Sequence, residues 1–247
     1  MLKKLAQLEG LSRRLDPDSA SRRKWFEQAA LYAETTLENL PDTLTYLPDD
    51  GRDGFRSSPV GEEPAELSEL LEFFRHEVDT TGILPASGGQ MGYIPGGGLY
   101  PSALGDFLAD ISNRYSGVSF AGPGAASMEL SLVDWMRRLV GYPDTAAGDL
   151  TSGGSTATLS ALVTARDACG IDHLAIPGAC VYMTEQVHHC VQKALHVAGL
   201  KDVQQRTVPM DEQFRMDARA LEEMIESDRA QGLKPWLAVA SAGTTDT

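Results

Sequence analysis

From residue 150 onward the chain alternates helical and extended patterns, and this alternation restricts the fold more than any other feature. Leu159, Leu162, Val163 and Ala165 repeat at helical spacing, and Gly170 supplies a C-terminal stop. The pattern then predicts a strand over 180–183, a helix over 185–197, a strand over 203–208, a helix over 217–230 and a buried strand over 236–240. Helix and strand in alternation predict an α/β fold, a mostly parallel sheet flanked by helices. Ligands of such sheets bind outside the carboxyl ends of the strands. Here those ends carry Thr184 with Gln186, Val187, His188 and His189, and then Ser241, Ala242, Gly243, Thr244, Thr245 and Asp246.

The first of these helices is preceded by Thr151-Ser152-Gly153-Gly154-Ser155-Thr156. Two glycines let a ligand approach the backbone, Ser155 and Thr156 add hydroxyls, and the first-turn amides of a helix favour an anion such as phosphate. The same residues also suit a turn that merely caps a helix, and both readings stand on the residues alone. No Gly-Lys-Ser/Thr closes the segment, so it is not a Walker loop.

The 247 residues suit one large domain or a domain with an appendage. A formal charge of −14 argues against nucleic acid and anionic membranes as partners, so a bound anion must be held by local amides and hydroxyls. Three cysteines without CxxC spacing point to free thiols in a reducing compartment, and Cys169 and Cys180 read as core residues. With no apolar N-terminal or membrane-length run, the expectation is a cytoplasmic, soluble protein. His188, His189 and Cys190 on a helix would project in different directions, so no metal site is expected.

The first part of the chain is organised differently. Asp16 as cap and Pro17 in the first turn open a helix whose Trp25, Phe26, Ala29, Tyr32, Ala33, Leu37 and Leu40 share a face until Pro41. A Pro-, Gly- and Asp-rich connection over 41–64 and a second helix from Pro64 to about His76 follow. Residues 88–98 are too glycine-rich for regular structure and read as a shaped loop carrying Tyr93 and Ile94. Helical periodicity returns over 101–115 and 128–142.

The order of three polar clusters, at 151–155, 184–189 and 242–245, resembles that of the group II pyridoxal-phosphate-dependent amino-acid decarboxylases, the family of the aromatic-L-amino-acid, glutamate and histidine decarboxylases. Pro101-Ser102-Ala103, Leu108-Ala109-Asp110 with Asn113, and Met128-Glu129-Leu130 through Asp134-Trp135-Met136 extend the likeness over roughly residues 85–247. The resemblance implies part of a fold-type I large domain, truncated, over 86–247, behind an N-terminal helical segment with linker over 1–85. It implies pyridoxal 5'-phosphate as cofactor, an amino acid as substrate, a homodimer, and loss of the α-carboxylate as carbon dioxide, with aromatic substrates first and glutamate close behind.

Matched residue by residue, the resemblance assigns Gly154 and Ser155 to the phosphate with Thr156 as auxiliary, His188 to the face of the pyridine ring and to catalysis, and Thr244 to a position beside the cofactor, also catalytic. Tyr93 and Ile94 are candidates for the substrate pocket. The family usually opens its substrate loop with His-Pro, whereas Ser87-Gly88 stand here. The family's Schiff-base lysine and its pyridine-pairing aspartate lie further along than residue 247, and none of Lys193, Lys201 or Lys234 follows the lysine motif. The expectation is therefore the N-terminal half of a longer enzyme, inactive in isolation. Rival readings are another reaction on the same scaffold, such as a carbon-carbon lyase or aminotransfer, or a noncatalytic half that pairs with a partner chain.

Overall fold

The computed structural model describes residues 1–48, 51, 53–58, 61 and 64–243. Two compact units divide the chain, Met1–Ala103 and Leu104–Thr247.

The first unit is mainly helical. It holds α1 (Leu2–Ser12), α2 (Ser19–Asn39), the short α3 (Gly54–Ser57) and α4 (Leu67–Phe74), which continues as a wider π-type turn over Arg75–Asp79. A two-stranded antiparallel ribbon pairs β1 (Tyr46–Leu47) with β2 (Gly82–Ile83). Asp18, rather than Asp16, caps α2, because its carboxylate accepts the Ser21 amide at 2.8 Å, the reach an N-cap side chain has to the third helical residue. Helix α2 packs on α4 through Tyr32, whose ring meets Phe74 edge-on and lies under the Arg75 guanidinium at 4.5 Å. The Tyr32 hydroxyl also donates to Asp79, and burial together with this bond raises its pKa to about 12.

Helix α5 (Tyr100–Ser112) crosses the division, and α6 (Pro123–Leu139) and α7 (Gly154–Ala168) lead into the sheet. Three parallel strands, β3 (Ala179–Met183), β4 (Gln204–Thr207) and β5 (Lys234–Ala238), are ordered β4-β3-β5. Helix α8 (Cys190–Val197) connects β3 to β4, and α9 (Ala218–Ala230) connects β4 to β5.

Central strand β3 is buried on both faces, and its side chains alternate accordingly. Ala179, Val181 and Met183 pack with Leu162 of α7 and Val191, Ala194 and Leu195 of α8. Cys180 and Tyr182 point the other way, against Leu221, Met224 and Ile225 of α9. On that second face the Tyr182 hydroxyl donates to Asp228 at 2.7 Å, and Arg206 of β4 grips the same carboxylate through Nε and Nη2 at 2.9 to 3.2 Å. Asp228 is 4% exposed. The Arg206 bonds hold its carboxyl below the usual carboxylate range against the opposing effect of burial.

Strand β5 departs from the expected 236–240. It begins at Lys234, and Trp236 is an extra residue between the pairs Cys180↔Pro235 and Val181↔Leu237. Proline cannot donate to a ladder, so the register slips beside it. Pairing with β3 on one side alone among the described residues leaves β5 half-buried rather than fully buried.

Candidate active site

Chain order sets where a ligand can sit. From β3 the chain moves through α8 to β4 on one side, then crosses back through α9 to β5 on the other. The carboxyl ends of β3 and β5 therefore flank the point where the winding reverses, the usual binding crevice of an open α/β sheet. A cleft of about 400 Å³ opens there, lined by Thr184, by Gln213, Phe214, Arg215 and Met216, and by Ala240, Ser241 and Gly243; Gly154, Ser155, Thr156 and His188 do not line it.

Helix α7 brings its N-terminus to the same end. Its last turn lies at the opposite end of the sheet, where Lys234 Nζ at the start of β5 donates to the Cys169 carbonyl at 2.7 Å. Cys169 is exposed at this helix terminus rather than in the core, whereas Cys180 is buried. At the N-terminus the Gly153 carbonyl accepts both the Thr156 and Ala157 amides, at 3.1 and 3.0 Å. That leaves Gly154 and Ser155 as first-turn amides without a partner among the described residues, and no side chain caps the helix. The Thr151 hydroxyl donates to the Gly153 carbonyl at 3.0 Å and fixes the turn.

A Cβ built on Gly153 or Gly154 would meet no atom within 4 Å among the described residues, so space beside these amides is open. Two free amides at the positive end of a fifteen-residue helix, with the Ser155 and Thr156 hydroxyls beside them, fit a phosphate group. The Thr156 amide is already used, so that residue has only its hydroxyl to offer.

His188 is not on a helix. The expected helix over 185–197 begins only at Cys190, and residues 184–189 form a turn. The Val187 amide donates to the Thr184 carbonyl at 3.2 Å, and the Cys190 amide donates to His188 Nδ1 at 3.2 Å. A ring nitrogen that accepts carries no proton, so this bond places the ring N–H at Nε2. The ring is exposed and lies 4.1 Å from that of His189, tilted by 36°. The two imidazoles therefore sit side by side, contrary to the divergent directions that a helix would impose.

The phosphate-type turn and the His188 turn are linked. Thr158, one turn into α7, places Oγ1 3.7 Å from Sγ of buried Cys190, the first residue of α8. The sequence reading did not single out this contact; its signal is the i+4 spacing of Thr158 from Gly154. Thr244 lies outside the described residues. Tyr93 and Ile94 belong to the first unit, both exposed, on an irregular loop in which Tyr93 has φ +65°.

An open parallel sheet whose winding reverses between β3 and β5, with a helix N-terminus and a histidine turn at the carboxyl ends of its strands, has the architecture of the ligand-binding α/β folds. The chain belongs to the pyridoxal-dependent decarboxylases: the family's conserved domain matches residues 64–247. It is 35% identical over 187 residues to the aromatic-L-amino-acid decarboxylase of Bacillus atrophaeus, covering 76% of this chain and 38% of that protein. It is 25% identical over 240 residues to the L-2,4-diaminobutyrate decarboxylase of Acinetobacter baumannii, covering 90% of this chain and 45% of that protein. In fold it is similar to the crystal structure of Oryza sativa TDC with PLP and tryptamine, with TM-score 0.81 and 22% identity over 92% of this chain and 50% of that one. The chain thus spans half or less of the length of these relatives.

Proposed function

We propose that the whole protein removes the α-carboxylate of an L-amino acid as carbon dioxide, leaving the amine, with pyridoxal phosphate as cofactor. The observation that carries this reading is the pair of amides of Gly154 and Ser155, without partners among the described residues, that open α7 at the same end of the sheet as the His188 turn. Pyridoxal phosphate, when bound, supplies a conjugated ring that takes up the electron pair released from the substrate's α-carbon.

Gly154 and Ser155 would hold the phosphate through their amides, with the Ser155 and Thr156 hydroxyls as further donors. His188 would lie against the ring. With Nδ1 engaged by the Cys190 amide, only Nε2 can hold or move a proton at the substrate. Thr244 would stand beside the cofactor at the end of β5, and Tyr93 and Ile94 would line the substrate pocket.

Aromatic amino acids come first as substrates, supported by the likeness to the Bacillus atrophaeus protein. We assign the protein to the cytoplasm on its three free cysteines. A homodimer is supported by the many apolar side chains exposed along α2 and α5, among them Trp25, Phe26 and Ile111. No helix among the described residues is long and apolar enough to cross a membrane.

Product analysis tests the reaction. Incubated with pyridoxal phosphate and single L-amino acids, the whole protein should release carbon dioxide and the matching amine in equal amounts. A 2-oxo acid without carbon dioxide would replace this reading with aminotransfer.

A further inference from the structure

Ser87 is one of the few buried polar side chains, 5% exposed, at the entry to the glycine-rich loop. Its hydroxyl donates to the Thr43 carbonyl at 2.7 Å and accepts the Gly89 amide at 3.3 Å. Thr45 Oγ1 lies 3.3 Å away, and because the Ser87 proton is directed at Thr43, Thr45 is the donor of that pair. The Ser87 backbone is engaged too: its amide donates to the Leu84 carbonyl and its carbonyl accepts the Gln90 amide, both at 3.0 Å. A Cβ on Gly89 would stand 2.6 Å from Thr45 Oγ1 and 3.8 Å from Ser87 Oγ, so Gly89 itself lies close against the Thr45 hydroxyl.

The far end of the loop returns to the same place, since a Cβ on Gly97 would lie 3.4 Å from Ala86 Cα. Residues 87–97 thus have a closed stem and an exposed tip carrying Met91, Tyr93 and Ile94, the form of an Ω-loop.

We infer that Ser87 is a positioning residue for the substrate loop: its hydroxyl fixes the stem and hence the direction in which Tyr93 and Ile94 are presented. The inference rests on the proposed reading of that loop as a wall of the substrate pocket. One donor and two acceptor lone pairs are all in use at Ser87, and alanine supplies none of them.

The test uses Ser87→Ala and Gly89→Ala in the whole protein loaded with pyridoxal phosphate. Hydrogen exchange over residues 84–98 is measured together with kcat and KM for the amino acid it decarboxylates. Ser87→Ala should speed exchange at Gly89 and Gln90 about tenfold, the equivalent of one lost hydrogen bond. It should raise KM about fivefold with kcat little changed, as expected when the competent loop is less populated. Gly89→Ala, which forces the stem apart from the Thr45 side, should give the same pattern, and the cofactor absorbance should not move in either variant. Unchanged exchange in Ser87→Ala overturns the stem, and faster exchange with unchanged KM overturns the positioning role. If the parent binds pyridoxal phosphate yet decarboxylates no amino acid, the functional reading fails instead, and the exchange result still decides the stem.

Discussion

Removing the Asp228 carboxylate should destabilise the sheet face it serves. Asp228 accepts from Tyr182 and is gripped by Arg206, so Asp228→Ala leaves a buried phenol hydroxyl and a guanidinium with no acceptor. Losing one partner of a buried ion pair costs about 3–5 kcal/mol. The Arg206 side chain is 28% exposed and regains some water, which brings the expected loss to about 3 kcal/mol. Tyr182→Phe removes a single donor from a carboxylate that Arg206 still holds, so about 1 kcal/mol is expected. The double variant should be less destabilised than the sum, because the stranded hydroxyl is gone.

Acid gives an independent reading of the same group. Its folded pKa is depressed, first by the Arg206 hydrogen bonds. As pH falls, the unfolded chain takes up the proton near the ordinary value of about 3.9 while the folded chain resists. The contribution is therefore whole above that value and is lost below it, as pH falls through the lower folded pKa. Thermal denaturation of the whole protein followed by circular dichroism should show a Tm lowered by about 3 °C at neutral pH in Asp228→Ala, with a shallower decline in acid than the parent. A variant within about 0.5 kcal/mol of the parent, or one with the parent's acid profile, would refute the reasoning.

Three further outcomes follow from the site and its supports. Gly154→Pro keeps the helix start, where proline is tolerated after the extended Gly153, but deletes one of the two amides proposed to hold the phosphate; pyridoxal phosphate should bind about tenfold or more weakly by fluorescence titration. His188→Ala should lower turnover about a hundredfold or more in steady-state assays while cofactor affinity stays close to the parent's. Gly199, at φ +74° after α8, should cost about 1 kcal/mol when changed to alanine, read as a fall in Tm with unaltered cofactor affinity.

Elements whose signals are local were legible in the sequence. Gly170 ends α7 with φ +59°, and Asp217 caps α9 by accepting the Arg219 and Ala220 amides. The alternation after residue 150 implied the parallel sheet, and the glycines at 153 and 154 implied an open helix start. The turn at His188 was hidden because Val187 and Val191 keep helical spacing; in the structure Val187 closes a tight turn on Thr184 and the His188 ring takes the Cys190 amide. Side-chain capture of a backbone donor leaves no mark in apolar periodicity. Strand β5 looked fully buried because its residues are apolar, but burial depends on neighbours that one segment cannot report. Ser87 was noticed only as a departure from a family pattern, since its partners Thr43 and Thr45 lie more than forty residues earlier in sequence.

A structure of the whole protein with pyridoxal phosphate bound is the most direct test of the central claim. The account predicts phosphate oxygens within hydrogen-bond distance of the Gly154 and Ser155 amides and the His188 imidazole face against the pyridine ring. A phosphate held elsewhere, with those two amides still unpartnered, would contradict it.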